Sequence, residues 1–329
     1  MKLQNSIFSM LALVSATLQA ANAIASPSDL AWPKMPLEDD SDPMAFDLSC
    51  YGGLVNGLTK ELVFAETAGG QVYKLSQLDW NIRDLWVVGG RAALHLSDQK
   101  FHFIIDGWGK ASASESIMVD RDWNSEYSLK TPRHISWGPS YLKSAYKITG
   151  EIGYDFHQTD LGLAKLQTTL LAGYQYFQLA WEKYGGFYVY NYGEFRGMLP
   201  DRICVSYAQE YSIPYFGLEF NGTWEELIQW TCYGKISNSA FVHQKDIHHL
   251  REITYDEEIP YGVYWMVGTS LSLFFSDSVD CNIKYGYEQI NEAKGIMTIY
   301  EKDEPPQTFS GSGVYHRHQT VSLGINSTF

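Results

Sequence analysis

Positive charge is scarce in this chain: 24 Lys and Arg stand against 38 Asp and Glu, a formal net charge of -14. No basic stripe exists to meet phosphate, which excludes nucleic acid as a partner. Long apolar runs are missing too. The stretch from Ile7 to Leu18 falls short of the about 20 residues that a membrane-spanning helix needs. From Phe46 onward there is no sustained 3.6-residue period, which removes the signature of a helical core. Cysteine is limited to Cys50, Cys204, Cys232 and Cys281. The alternation puts Cys232 with Ile228 and Trp230, and Cys281 with Val279 and Ile283, on apolar faces, and no turn register sets two cysteines opposite each other. Reduced, lipid-facing thiols acting as small hydrophobes are expected.

What the N-terminus does contain sets the compartment. Met1-Lys2, the short apolar stretch and Ala21-Asn22-Ala23 read as a secretory signal peptide over 1–23. Residues 24–45 carry Pro27, Pro33, Pro36 and Pro43 around Glu38-Asp39-Asp40-Ser41-Asp42. Proline removes ladder donors and like charges repel, so this is expected to be a solvated acidic leader.

The rest of the chain, 46–329, has a period of two. In Ala145–His157, Tyr146, Ile148, Ile152, Tyr154 and Phe156 share one face, and Lys147, Thr149, Glu151, Gly153 and Asp155 share the other. Gly262–Phe275 and Trp86–Leu96 divide the same way. A soluble sandwich would have to bury Glu151 and Asp155 or expose Ile148 and Phe156. An apolar outside around a polar inside is the pattern of a transmembrane β-barrel. Ten Trp, 23 Tyr and 16 Phe, 15% of the chain, often fall near the ends of the alternating runs, as interfacial girdles require. The last strand, Thr320–Phe329, alternates and ends on Phe, as the assembly signal of outer-membrane barrels does. The fold class expected is all-β: a ten-stranded antiparallel transmembrane barrel extending above the membrane, with long extracellular loops. Hairpin turns are expected near 97–100, 158–162, 221–222 and 276–278. The longer connections are expected at 67–70, 114–142, 185–201, 240–259 and 302–313.

Two acidic motifs fall at the outer end of that barrel: Val119-Asp120-Arg121-Asp122-Trp123 and Asp246-Ile247-His248. Residues two apart on extended backbone point the same way, so each motif presents a pair of proton-handling groups. Three carboxylates and an imidazole around one cleft could activate a water. A D-x-D in a loop is ordinarily a solvated acidic turn, and D-x-H is a weaker pattern still. His243, Asp246, His248 and His249 could instead ligate a metal, but their spacing is no zinc signature and no metal is expected. His316 and His318 are expected to be lumen or loop residues.

The chain resembles the omptin family of outer-membrane proteases from about Thr59 to Phe329. The resemblance rests on Ser76-Gln77-Leu78-Asp79-Trp80, Val119-Asp120-Arg121-Asp122-Trp123, Leu171-Ala172-Gly173-Tyr174-Gln175, Ile213-Pro214-Tyr215-Phe216-Gly217-Leu218, Asp246-Ile247-His248 and Ile253-Thr254-Tyr255. It implies a ten-stranded barrel with a groove at its top and an aspartyl-type endopeptidase with catalytic Asp120, Asp122, Asp246 and His248. A water would sit between Asp120 and His248, with His248 as general base, Asp246 orienting it, and no covalent intermediate. The family's acidic substrate pocket falls on Glu61 and on Gln244, where relatives that cut beside basic residues carry Asp. Gln244, followed by Lys245, is expected to relax or alter the preference for basic sites.

The implied partners are peptides or proteins at the cell surface and outer-membrane lipid, with the active site facing outward and the barrel a monomer. No cofactor is expected. A lipopolysaccharide requirement is implied by the family, whose lipid motif falls on Tyr174. Its neighbours here are Tyr176 and Gln178, with Glu210 and Pro260 where bases are expected, so the requirement is expected to be weak or met by Lys183 or Arg202. The alternative function is a catalytically degenerate barrel acting as adhesin or invasin. A lipid hydrolase would need a Ser-His pair on the outer wall, and none is convincing.

Overall fold

The computed structural model describes residues 44–329 except 68, 97–99, 124–130, 163, 225–226 and 277. The segment read as a signal peptide and all but the last two residues of the expected acidic leader lie outside them. Among the described residues thirteen strands form one sheet: β1 Met44–Glu66, β2 Val72–Leu96, β3 Phe101–Lys110, β4 Glu115–Asp122, β5 His134–Asp160, β6 Ala164–Tyr184, β7 Phe187–Tyr190, β8 Phe195–Met198, β9 Ile203–Trp224, β10 Ile228–His248, β11 Ile253–Ser276, β12 Val279–Glu301 and β13 Gln307–Thr328. Neighbours pair antiparallel, and β1 closes the ring on β13 from Asp47↔Thr328 to Val63↔Ser312. Strands β3 and β4 are two halves of one stave between β2 and β5. The ring is therefore ten staves, and the short β7–β8 hairpin is an addition on β5 at Ile135↔Val189.

The division of faces follows the sequence. Ile148 and Ile152 on the outer wall are 55% and 48% exposed, while the alternating Lys147, Thr149 and Glu151 are buried. Inside, charges are paired, as burial demands: Lys147 donates to Glu288 and Lys235 to Glu151. Gln175 Nε2 donates to Glu288 at 2.9 Å, and His318 lies 3.5 Å from the same carboxylate. His316 and His318 are buried lumen residues. Removing one member leaves a buried charge uncompensated, so Glu288→Ala is expected to destabilise the barrel by about 3–5 kcal/mol, and a paired replacement of Lys147 and Glu288 by apolar residues by far less. Denaturant midpoints of the two variants check this. Above the ion pairs, Trp80 stacks on Tyr207 with ring centroids 5.0 Å apart, and Trp181 packs against both.

Several sequence expectations are corrected. Met44 and Ala45 already belong to β1, so the barrel starts before residue 46. Asn221-Gly222 is no hairpin turn: both sit inside β9, opposite Thr231 and Trp230, and Thr231 Oγ1 donates to Asn221 Oδ1 at 2.6 Å. The spans 114–142 and 240–259 are largely strand, because the staves continue past the level where the outside must be apolar. All four cysteines are free, but Cys204 is buried and does not face lipid; its thiol donates to the Arg202 carbonyl at 3.4 Å.

Candidate active site

The far end of the ring, well beyond the about 9–11 residues that a strand needs to cross a bilayer, collects the acidic motifs. Asp120 and Asp122 stand on β4, clamped by backbone pairing to Leu78 and Ser76 of β2 and to Ser136 and His134 of β5. Gln244, Asp246 and His248 are alternate residues at the tip of β10, held between Gln209, Tyr207 and Val205 of β9 and Glu257, Tyr255 and Ile253 of β11. The tip turns at once, with Glu252 in the left-handed region at φ 55°. Both motifs thus occupy hydrogen-bonded strand where loops were expected, and the alternation of the strand sets their direction.

Asp246 is 1% exposed, and its Oδ2 lies 2.6 Å from His248 Nε2. The other ring nitrogen, Nδ1, contacts the Arg251 guanidinium on the turn. Ser136 Oγ donates to Asp120 Oδ2 at 3.4 Å. Burial, and then the charge of Asp122, push the Asp120 carboxyl up to about 7, while His248, Lys183 and Arg251 pull the other way. The β7–β8 hairpin closes this side: burial and the carboxylates of Asp120 and Asp122 push the Tyr190 phenol up. Gly186 makes the hairpin's approach feasible, since at φ 106° a Cβ there would lie 2.1 Å from the Trp137 carbonyl.

A second group of carboxylates adjoins the first. Glu61 on β1 is buried, and burial together with Asp246, Glu257 and Asp120 holds its carboxyl well above the usual range. Glu257 on β11 accepts from Gln244 Nε2 at 2.8 Å and from Ser312 Oγ at 2.6 Å, and burial pushes it up to about 8. Gln244 is fully buried, its Oε1 taken by Tyr207 Oη and by Gln209 Nε2. Four buried carboxylate oxygens, Asp120 Oδ1, Asp246 Oδ1, Glu61 Oε2 and Glu257 Oε1, have no hydrogen-bond partner among the described residues. Buried acceptors of that kind demand donors.

Lys245, read as a neighbour of the pocket, is exposed on the opposite face of β10. Lys183, read as a lipid-facing base, is 2% exposed and lies inside. It shares the inward parity of Gln175, Phe177 and Trp181 on β6, and the alternation carried to the end of that strand would have found it. The same test fails on β11, where the alternation shifts at Pro260 and Tyr261 and brings Glu257 inward against the parity of Tyr264 and Met266. Tyr174 is half exposed on the outer wall, on the same face as Tyr176 and Gln178, and Gln178 pairs with Glu210 of β9. The four residues weighed as metal ligands do not converge. His243 binds Asp256 at 2.9 Å and His249 binds Ser206 at 2.7 Å, and no group of three or more His, Cys, Asp or Glu among the described residues is arranged to hold a metal ion.

The family model described as "Omptin family" matches residues 42–329. The plasminogen activator of Yersinia pestis is 23% identical over 296 residues, 87% of this chain and 90% of that protein. The outer membrane protease IcsP of Shigella flexneri is 28% identical over 268 residues, 79% of this chain and 82% of that one. Among solved structures, the outer membrane protease OmpT from Escherichia coli superposes with a TM-score of 0.80 at 22% identity, covering 87% of this chain and 97% of that one.

Proposed function

Since the chain belongs to the omptin family of outer-membrane proteases, we propose that it is an endopeptidase that hydrolyses peptide bonds with a water activated between Asp120 and His248 in a groove facing outward. The observation that carries this reading is the 2.6 Å contact of His248 with a buried Asp246, on the same cleft as an Asp120 oxygen without a partner. Asp246 fixes Nε2 and so leaves Nδ1 to take the proton of the water. Arg251 contacts Nδ1 in this structure, and the proposed step requires that contact to open for the water. Asp246 stabilises the imidazolium that forms, Asp120 holds the water, and Asp122 helps to hold it or polarises the scissile carbonyl. Positioned proton transfer of this kind contributes roughly 10²–10⁴-fold in rate. The refolded protein should cleave peptides, with products identified by mass; intact peptides from a folded barrel would sink the reading.

The side chain before the cut enters the pocket of Glu61, Asp246, Gln244 and Glu257. Gln244 removes a carboxylate, but Glu257 supplies one hydrogen-bonded to it, and the Lys245 ammonium is on the outside. We therefore read the preference for basic side chains as altered: Glu257, pushed up to about 8 by burial, offsets the loss at position 244 only where it is ionised, and below that pH the relaxation expected from Gln244 stands.

The outer wall supports little dependence on lipopolysaccharide. Glu210 beside Gln178 would repel a lipid phosphate, and Lys183 is inside the barrel. Equal activity in detergent with and without added lipopolysaccharide is expected; strict dependence would count against this part of the reading.

A further inference from the structure

A buried lysine stands behind the acidic cleft. Lys183, 2% exposed at the top of β6, is paired through its backbone to Ser140 of β5 and Val205 of β9. Its Nζ donates to Ser136 Oγ at 3.2 Å, and that hydroxyl donates to Asp120 Oδ2 at 3.4 Å. Ammonium, hydroxyl and carboxylate form a chain that ends on the residue assigned to hold the water. A buried cation is costly unless charge or hydrogen bonds meet it, and here the meeting groups belong to the cleft.

Resting on the endopeptidase reading above, we propose that Lys183 is a positioning residue for hydrolysis: through Ser136 it fixes Asp120 Oδ2, leaves Oδ1 for the water, and balances the second negative charge that Asp122 brings to the same strand. Two adjacent carboxylates repel each other's ionised form, and a nearby cation restores it. The groups facing Asp120 are Asp122 on its own strand, Glu61 of β1, Lys183 of β6, Tyr190 of β7, His248 of β10 and Arg251 of the turn. Those facing Lys183 are Asp120, Cys204 of β9 and Asp246. Burial lowers the Lys183 ammonium, and Asp120 and Asp246 hold it up. Of the two cations acting on Asp120, Arg251 is on an exposed turn, so Lys183 is the one fixed in the wall.

The test uses the full refolded barrel and compares wild type with Lys183→Met, Lys183→Arg, Ser136→Ala and Asp120→Ala, reading kcat and KM across pH. Lys183→Met is expected to leave KM unchanged and to move the acid limb of kcat up by about one pH unit, a loss of about tenfold on that limb. Lys183→Arg should return the limb most of the way. Ser136→Ala keeps the charge but breaks the chain, so kcat should fall several-fold while the limb stays near its wild-type position. A wild-type limb in folded Lys183→Met, or an equal loss at every pH in both lysine variants, overturns the proposal. If Lys183→Met does not refold, Ser136→Ala decides: unchanged kcat overturns it. Active wild type with inactive Asp120→Ala and an indifferent Lys183 defeats only this inference; wild type without activity, or Asp120→Ala with full activity, defeats the underlying reading.

Discussion

Asp120→Ala and His248→Ala should each lower kcat by roughly 10²–10⁴-fold while KM changes little, because both act on a water and not on the substrate's ground state. Steady-state assays on one cleaved peptide measure it. The double variant should lose hardly more than either single one, since the two groups act on the same proton. The wild-type rate should fall on the acid side near pH 7, where Asp120, pushed up to about 7 by burial and Asp122, takes up a proton and no longer holds the water. Stability carries the opposite sign. The folded value is raised above the ordinary 3.8, so the contribution of Asp120 to stability is fully present below that ordinary value and is lost as pH rises through about 7. Asp120→Asn should therefore be inactive and more resistant to denaturant at pH 8 than wild type, with the advantage gone at low pH. Equal midpoints at both pH values would contradict the assignment of Asp120 as a carboxylate whose ionised form the fold disfavours.

The second large effect concerns what is cut. Glu61→Gln combined with Glu257→Gln is expected to remove the preference for Arg or Lys over a neutral residue, through KM more than kcat, while slow cleavage of neutral peptides persists. Burial pushes the Glu257 carboxyl up to about 8, so below that value it is largely neutral and above it ionised. Wild-type preference for a basic side chain should grow as pH rises through 8, and Glu257→Gln should flatten that trend. Cleavage of a matched Arg, Lys and Gln peptide set at several pH values settles it. A preference unchanged in the double variant would place the basic side chain elsewhere.

The barrel was legible because one physical demand, hydrocarbon outside and polar groups inside, repeats at every second residue of strands such as Ala145–His157. The pairing of Asp120 with Asp122 and of Asp246 with His248 on common faces followed from the same period. What escaped the sequence lay above the membrane, where the outer face is free to be polar and the contrast fades. There, 114–142 and 240–259 looked like loops and are mostly strand, and Lys183 and Lys245 were each assigned to the wrong side. Asn221-Gly222 failed for a different reason: turn chemistry is local, and pairing of both residues across to Thr231 and Trp230 overrode it. Glu257 was invisible as a pocket residue because its role depends on Gln244 and Ser312, brought to it from β10 and β13.

The ring closes where β1 meets β13, and that seam runs through the site. Glu61 pairs with Val314, and Ser312, on the same last strand, bonds Glu257. The first and the last strand of the barrel therefore each supply part of one carboxylate cluster, while Asp120 and His248 come from staves three and seven. Under the proposed reading, the substrate pocket is complete only where the two ends of the barrel meet.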